Sequence, residues 1–448
     1  MEGGILYDRN KSSHVKEANK LEIPAIDIVI CNLYPFEKTT QKKSVKLEDA
    51  IENIDIGGPV MVRSAAKNFK SVLIIVDPND YGRIEELLKT NRIDLKIRQN
   101  MAAKAFAHTA FYDSQIGKFL RKDAISALEL TIPGRRTIDL RYGENPHQAA
   151  TFYLTPNTNS PLAKLKKMTG RDLSLINLTD INAGLESVKL FKEISAAVIK
   201  HNTPCGLALG KTSREALERA IEADPESAFG GVIVLNNPID INAAHVLSAF
   251  KKAGRGNFDI IAAPKINSSA FEYLKDIRES MGIYVFEKIP NESNDKTNIK
   301  WLDGGFIVQD NDKVKKGLSK WKIVTKRKPT KLQLTQMEIA WKFIARVKSN
   351  SVIIVDGKLP MTRGIGSGQT SRFRSTTIAL EQAGKFTDGA ILASDSFFPF
   401  NDSVMLAAKH KISAIIQQGG SINDSASISA ADKAGISMIL TGTRAFWH

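Results

Sequence analysis

The strongest chemical signal in the sequence is the pair Lys200-His201, which follows the apolar, β-branched residues 198–199. Those residues predict a strand, and ligand crevices in α/β sheets open at strand ends. A histidine can act as a general base near neutral pH, and an adjacent ammonium group can stabilise a developing oxyanion. The following Pro204-Cys205-Gly206 predicts a turn. The pair would also suit a polar strand end that faces solvent.

Pro204-Cys205 resembles half of the Pro-Cys-x-x-Cys zinc motif of nucleobase deaminases, but position 208 is alanine. The chain has 2 cysteines, Cys31 and Cys205, which excludes a cysteine-rich zinc site and a disulfide framework. This cysteine usage predicts a reducing, cytoplasmic compartment.

Two later segments could bind other parts of a ligand. Gly364–Arg372 is a glycine-rich loop that enters a predicted helix, where exposed N–H groups bind anions. It lacks the Walker A spacing, and a simple tight turn is the alternative. Ser394–Asp402 places three phenylalanines between two aspartates, so the rings either wall a flat aromatic ligand or pack in the core.

The composition is that of a globular protein. Of 448 residues, 42% are hydrophobic and 25% charged, which excludes disordered and fibrous folds. The net charge of +15 favours anionic partners. A basic stretch at 313–328, with Trp321, is more typical of a solvated loop than of a nucleic-acid site, so no nucleic-acid partner is expected. Neither a membrane span nor a signal peptide is predicted.

Strands that alternate with helices predict α/β layers along the whole chain, enough for about three domains. Strands are expected within 26–36 and at 71–76, 196–199, 231–235, 260–263, 352–355, 390–393 and 412–416. Helices are expected at 47–53 and 60–68, with a turn between them, and over 82–130. Polar stretches at 131–180 and 286–330, including 291–295, predict a domain boundary and connecting segments.

Seven ordered motifs together resemble the bifunctional purine-biosynthesis enzymes that carry aminoimidazole-carboxamide ribonucleotide (AICAR) formyltransferase and inosine monophosphate (IMP) cyclohydrolase activities. The motifs are Leu140–His147, Lys200–Gly206, Ser227–Gly231, Lys348–Asn350, Gly364–Arg372, Ser394–Asp402 and Arg444–His448. The resemblance implies an α/β fold: a truncated methylglyoxal-synthase-like parallel-sheet domain at 1–130, then two cytidine-deaminase-like subdomains at 131–330, which includes a connecting segment, and 331–448.

By this resemblance, the carboxy-terminal part transfers a formyl group from the co-substrate 10-formyltetrahydrofolate to the amine of AICAR, as a homodimer and without a catalytic metal. His201 would be the general base, and Lys200 would stabilise the transition state. The residues implied to bind AICAR are Arg141, Tyr142, His201, Gly230, Asp259, Asn350, Arg372 and, near the phosphate, Arg444. The residues implied to border the folate are Phe373, Phe397, Asp402, Ser421 and Ile422.

The amino-terminal part resembles the cyclohydrolase domain of the same family. The residues implied to bind IMP are Cys31, Asn32, Asp55 and Ile56, and Lys67 matches the proton-transfer lysine. The family's opening strands and its Lys-Thr-Leu-His-Pro segment would precede residues 3–6, so we expect formyl transfer to be retained and ring closure to be weak. The alternative, a non-catalytic nucleotide-binding relative, fits poorly with intact Lys200, His201 and Asp402.

Overall fold

The computed structural model describes residues 2–42, 44–121, 123–277, 280–290, 296–312 and 321–448. The polar stretch 291–295 and the first part of the basic stretch, 313–320, lie outside these residues. Contacts divide the chain into two compact units. The first comprises Met1–Thr137, Tyr153–Thr158 and Asn294–Asn311, and the second Ile138–Phe152, Asn159–Ser293 and Asp312–His448. No described helix has the length and apolar character needed to traverse a bilayer.

The amino-terminal part of the first unit is a small α/β layer. Its elements are α1 (Glu2–Leu6), α2 (Ser12–Lys20), β1 (Ile28–Ile30), α3 (Phe36–Thr40), α4 (Leu47–Glu52), α5 (Gly57–Lys67), β2 (Leu73–Ile75), α6 (Tyr81–Lys89) and α7 (Leu95–Leu120). β1 and β2 pair in parallel, as expected. Val62 and Ala65 of α5 are buried with Ile74 of β2 in one core because three-residue spacing puts them on one helix face.

The long helix α7 ends earlier than the sequence predicts. It begins where the N-cap residue Asp94 accepts a backbone hydrogen bond, and it stops at Leu120. Beyond it, the Asp123 carboxylate accepts the N–H groups of Ile125 and Ser126 at 2.8 and 2.9 Å. Such local side-chain bonds compete with helix formation, so the helical region expected to continue to 130 is wrong there.

A six-stranded sheet forms the first half of the second unit. The elements that follow α7 are β3 (Arg135–Leu140), β4 (Ala150–Leu154), β5 (Lys166–Thr169), α8 (Leu175–Val188), β6 (Ile194–Lys200), β7 (Thr203–Gly210), α9 (Ser213–Glu222), β8 (Val232–Leu235), α10 (Ile241–Lys252), β9 (Ile260–Ala263), α11 (Ser268–Ile277) and β10 (Gly282–Val285). The strand order is β5-β10-β9-β8-β6-β7. Strands β8 and β9 are buried along their whole length, which explains their continuous apolar sequences.

An antiparallel hairpin, β11 (Thr297–Leu302) and β12 (Gly305–Asp310), lies where only connecting segments were expected. Its turn contains Gly304, whose φ of 74° a glycine adopts without strain. Trp301 faces Phe306 across the strands with ring centroids 5.1 Å apart. The segment was predicted to be a connection because polar residues lie on both sides of these two short strands.

The second half of the second unit is another six-stranded sheet. Its elements are β13 (Lys322–Ile323), α12 (Lys331–Ile344), β14 (Val352–Val355), β15 (Thr362–Gly366), α13 (Arg372–Ala383), β16 (Ile391–Ser394), α14 (Asp402–Lys409), β17 (Ala414–Gln417), α15 (Asp424–Lys433) and β18 (Ser437–Leu440). The strand order is β13-β18-β17-β16-β14-β15. The predicted strands are confirmed within two residues at each start and end, except at the carboxyl end of 26–36, where β1 stops at Ile30.

The two six-stranded sheets have the same topology. Strands in the same place pair in the same directions, and the order is the same. Helices α8 and α12 each begin with a capping box, Ser174 with Asn177 and Thr330 with Gln333. We call β5–β10 and β13–β18, with their helices, the first and second repeats. The α/β class is confirmed.

The repeats meet along β7 and β15. The N–H of Leu209 donates to the Pro360 carbonyl at 2.9 Å, and Ala208 bridges Met361 in antiparallel fashion. Tracing strand directions across this junction puts the carboxyl end of β6 and the amino ends of β8–β10 on one edge. The carboxyl ends of β16–β18 lie on that same edge, which we call the shared edge.

Candidate active sites

Lys200 and His201 lie at the tip of the β6–β7 hairpin, on the shared edge. Lys200 pairs with Thr203, and the two turn residues, His201 and Asn202, have φ of 54° and 60°. Positive φ at both positions is typical of the type I′ turn, whose twist suits a hairpin. The predicted strand end is confirmed.

The turn predicted at Pro204-Cys205-Gly206 is wrong, because these residues belong to β7. Proline lacks a backbone N–H, and strands tolerate it beside irregularities. Val198 pairs with Gly206 and Ile199 pairs with Pro204, so the register shifts at Cys205, the residue next to the proline. The hairpin therefore turns at His201-Asn202 and leaves the imidazole exposed.

Asp180 of α8 holds this turn from beneath. It is 3% exposed, and its carboxylate accepts the N–H of Asn202 at 2.6 Å and that of His201 at 3.3 Å. Burial raises the pKa of Asp180, while the two backbone hydrogen bonds and the nearby His201 oppose that rise. No sequence pattern marks Asp180, which lies 21 residues before His201.

The Lys200 ammonium donates to the Phe229 carbonyl at 2.8 Å and lies 5.8 Å from the centre of the Phe229 ring. Close by, burial raises the pKa of the Cys205 thiol to about 12. Cys205 therefore stays protonated and is no nucleophile.

The other first-repeat residues implied to bind AICAR gather around this turn. Gly230 has φ of 71°, and Asp259 pairs with Arg171 at 2.9 Å. Arg141 stacks on Tyr142 and donates to Asn177, one helical turn before Asp180. We call Arg141, Tyr142, Asp180, Lys200, His201, Gly230 and Asp259 the first cluster.

We call Asn350, Arg372, Arg444 and the residues implied to border the folate the second cluster, in which Arg372 begins α13. This guanidinium is 8% exposed and donates to the Asn350 side-chain oxygen at 2.9 Å and to the Phe397 carbonyl at 3.0 Å. It also forms an ion pair with buried Asp395. Arg444 stacks on Phe446, with the guanidinium carbon 4.4 Å from the ring centre. The predicted glycine-rich loop is shorter than expected, because Gly364–Gly366 end β15.

The residues implied to border the folate follow the second-repeat strands on the same edge. Phe397 is half-buried, Phe373 is 42% exposed, and Ile422 is fully exposed. Asp402 begins α14, and the Ser421 hydroxyl accepts the Asn423 N–H. The core-packing interpretation of the aromatic segment is right for Phe398, which is a buried core residue. Phe400 is 64% exposed, and the ligand-wall interpretation stays a prediction.

The two clusters lie at the same height on the shared edge but not next to each other. Asn350 precedes β14, three strand spacings from β6 across β7 and β15, which at ~4.8 Å each is about 14 Å. Phe397 follows β16, which is four spacings, or about 19 Å, from β6. The structure therefore brings the residues of each cluster together and keeps the two clusters apart.

The first unit carries its own group of predicted residues at the carboxyl end of β1. Asn32 donates to the Tyr81 hydroxyl at 2.9 Å, and the Asp55 carboxylate accepts the N–H of Gly58 at 2.7 Å. The buried Cys31 thiol lies 3.9 Å from the Gly58 carbonyl, and Ile56 is 73% exposed.

Lys67 does not join this group. It is the last residue of α5, whereas Asp55 and Ile56 precede the first. At 1.5 Å per residue, the helix puts about 15 Å between its two ends. Tyr81 and Tyr112, which the sequence did not single out, bind Asn32 and the Asp55 N–H respectively.

In the part of the chain that the structure describes, no group of three or more His, Cys, Asp or Glu side chains is arranged to hold a metal ion. The predicted absence of a catalytic metal stays a prediction.

Comparison with known proteins agrees with this arrangement of an α/β enzyme. The family model "AICARFT/IMPCHase bienzyme" matches residues 65–382, and the "MGS-like domain" model matches residues 5–60. A bifunctional purine biosynthesis protein PurH of Halalkalibacterium halodurans is 42% identical over 451 residues, covering 100% of this chain and 86% of that protein. Proteins of the same name from Thermoanaerobacter sp. and Persephonella marina are 43% and 42% identical at the same coverage.

The chain belongs to the AICARFT/IMPCHase bienzyme family. It is an enzyme of purine biosynthesis, and the non-catalytic alternative is not favoured.

Proposed function

We propose that this chain transfers the formyl group of 10-formyltetrahydrofolate to the amine of AICAR, at a site formed by the first cluster of one copy and the second cluster of another. The observation that carries this proposal is the exposed His201 at the tip of a hairpin, beside Lys200, in a member of this family.

In the proposed reaction, the AICAR amine attacks the formyl carbon and His201 accepts the proton that the amine loses. The N10–formyl bond then breaks, and tetrahydrofolate leaves with a proton on N10. Lys200 stabilises the negative charge that develops on the formyl oxygen. The bond from Lys200 to the Phe229 carbonyl holds its ammonium group next to Gly230, another residue of the first cluster.

The second cluster would bind both substrates. Arg372 and Asn350 are held by mutual bonds, so they offer a pre-formed surface to the nucleotide, and exposed Arg444 suits its phosphate. Exposed Ile422 and Phe373 offer apolar surface for the flat pteridine and benzoyl rings. The net charge of +15 favours two anionic substrates.

The spacing of the two clusters supports the proposed homodimer. Three strand spacings, about 14 Å, separate β6, which leads into His201, from β14, which follows Asn350. A second copy can supply the missing cluster, which makes each site composite. Neither a nucleic acid nor a membrane enters the proposal, and we place the reaction in the cytoplasm on the cysteine usage.

Complementation tests the composite site. His201→Ala and Arg372→Ser chains should each be nearly inactive alone. After they are mixed, unfolded and refolded together, formyltransferase activity should return to about a quarter of wild type, because each mixed dimer has one intact site. Two copies of the same variant refolded together are the control. An inactive mixture that sediments as dimers would contradict the composite site.

We propose that the first unit holds the ring-closing site, with Asn32, Asp55 and Ile56 on the base side. Ring closure by these 448 residues should be slower than formyl transfer, because cyclisation depends on positioning. Lys67 stands about 15 Å from Asp55 along α5, and Ile30 of the two-stranded sheet is 59% exposed. Supplying formylated AICAR and following IMP measures this directly. IMP formation as fast as formyl transfer would contradict it.

A further inference from the structure

We infer that Asp395 is a positioning residue for nucleotide binding that acts through Arg372. The inference rests on the proposed role of Arg372 as a ligand of AICAR.

Asp395 directly follows β16 and is fully buried. One carboxylate oxygen pairs with Arg372, and the other accepts the N–H and the hydroxyl of Ser351 at 3.0 and 3.1 Å. Its backbone carbonyl accepts the N–H of Ala445 at 2.9 Å. Asp395 therefore joins three chain segments, each of which carries a residue proposed to bind AICAR.

The negative charge of Asp395 balances the positive charge of Arg372 in a buried ion pair. Burial lowers the pKa of Arg372, and the pairing with Asp395 opposes that effect. A buried guanidinium that loses its carboxylate partner is strongly disfavoured. Without the charge, Arg372 would leave the orientation in which it donates to Asn350 and the Phe397 carbonyl.

The first repeat provides an internal comparison. Asn236 follows β8 as Asp395 follows β16, and it accepts the N–H of Ser195 at 2.8 Å, the same backbone bond that Asp395 accepts in the second repeat. Helix α9 begins with Ser213 where α13 begins with Arg372. A neutral amide thus supports the same strands where no arginine is present, so the fold does not need the charge at position 395.

The test is Asp395→Asn, which reproduces the first-repeat residue. We expect KM for AICAR to rise roughly 10- to 100-fold while kcat changes less than about threefold, the pattern of lost substrate binding. In an Arg372→Ser background the same substitution should leave AICAR affinity unchanged, because no arginine remains to position. An equal loss of affinity with or without Arg372 would overturn the inference in favour of a structural role.

A second experiment measures thermal stability, and it tests the inference even where Asp395→Asn is too unstable for kinetic measurements. The double variant Arg372→Ser/Asp395→Asn restores the neutral pair of the first repeat, so it should melt at a higher temperature than Asp395→Asn alone. A double variant that melts no higher would also overturn the inference. If Arg372→Ser alone leaves AICAR binding intact by calorimetry, the proposed function of Arg372 fails instead.

Discussion

The two repeats share strand order and helix placement, yet the tips of their β-hairpins differ in chemistry. In the first repeat a two-residue turn presents Lys200 and His201 over the Asp180 carboxylate. In the second, the longer loop after β14 closes on itself, because Asp356 pairs with Arg363 at 2.8 Å.

The helices that pack beneath the two hairpins, α8 and α12, also differ at one corresponding position. Asp180 lies six residues after the N-cap of α8, and Gln336 lies six residues after that of α12. The Gln336 side-chain oxygen is buried and has no hydrogen-bond partner among the described residues. The two repeats thus share one topology, but the exposed Lys200-His201 turn occurs only in the first repeat, where the Asp180 carboxylate accepts the N–H groups of the turn residues.

The largest expected effect is at the first-repeat tip. His201→Ala should lower formyltransferase turnover by ~10²–10⁴-fold, the usual contribution of a general base, with AICAR binding largely kept. The matched control is His410→Ala in the second repeat, at the end of α14, which should leave turnover unchanged. Steady-state kinetics decide, and near-wild-type turnover of His201→Ala would refute the base assignment.

A matched pair of glycines tests whether the repeats share one packing solution. A Cβ at Gly206 of β7 would lie 2.0 Å from the Ala220 carbonyl, and one at Gly364 of β15 would lie 1.9 Å from that of Ala379. Alanine at either position should destabilise the protein by about 1–3 kcal/mol through overpacking.

The control for this pair is Gly117→Ala in α7, where a Cβ has open space and should be neutral or stabilise by about 0.4–1 kcal/mol. Thermal unfolding of all three variants makes the comparison. Loss at only one of Gly206 and Gly364 would mean that the two helices pack differently in solution.

The smallest expected effect is a difference in pH dependence between two carboxylates. Burial tends to raise the pKa of Asp356, but bonds from the Leu359 and Lys358 N–H groups and from Arg363 outweigh it, so the pKa is lowered. Asp356 therefore stabilises the fold above its unfolded pKa of about 3.9, and the stabilisation is lost as pH falls through the folded pKa. Burial raises the pKa of Asp180, so ionisation of this carboxyl destabilises the fold. This destabilisation is absent at low pH and sets in as the pH rises through the unfolded pKa.

Melting of wild type, Asp356→Asn and Asp180→Asn from pH 7 to pH 3 checks these signs. The advantage of wild type over Asp356→Asn should shrink on acidification, whereas wild type should gain relative to Asp180→Asn. Parallel curves for the two variants would show that their charges do not differ in this way.

The α/β class, most strand positions and the residue types of the sites can be predicted from the amino-acid sequence. Short β-branched runs such as Val352–Val355 have few alternatives to a buried strand, and Lys200-His201 stood out by local chemistry alone. The predictions that were wrong concern segments whose structure depends on residues elsewhere in the chain. Pro204 looked like a turn residue because the bulge beside it, at Cys205 of β7, is a property of the strand pairing.

Which residues share a site depends on contacts that form when the chain folds. Asp180 carries no sequence signal, and Asp395 stands out in the sequence only as a flank of the aromatic segment, because a carboxylate becomes an anchor only when folding buries it against N–H groups or a guanidinium from distant segments. The separation of the two clusters was also invisible, since it depends on how β7 meets β15. Local propensity acts over a few residues, whereas sheet order and burial depend on contacts between segments far apart in the chain.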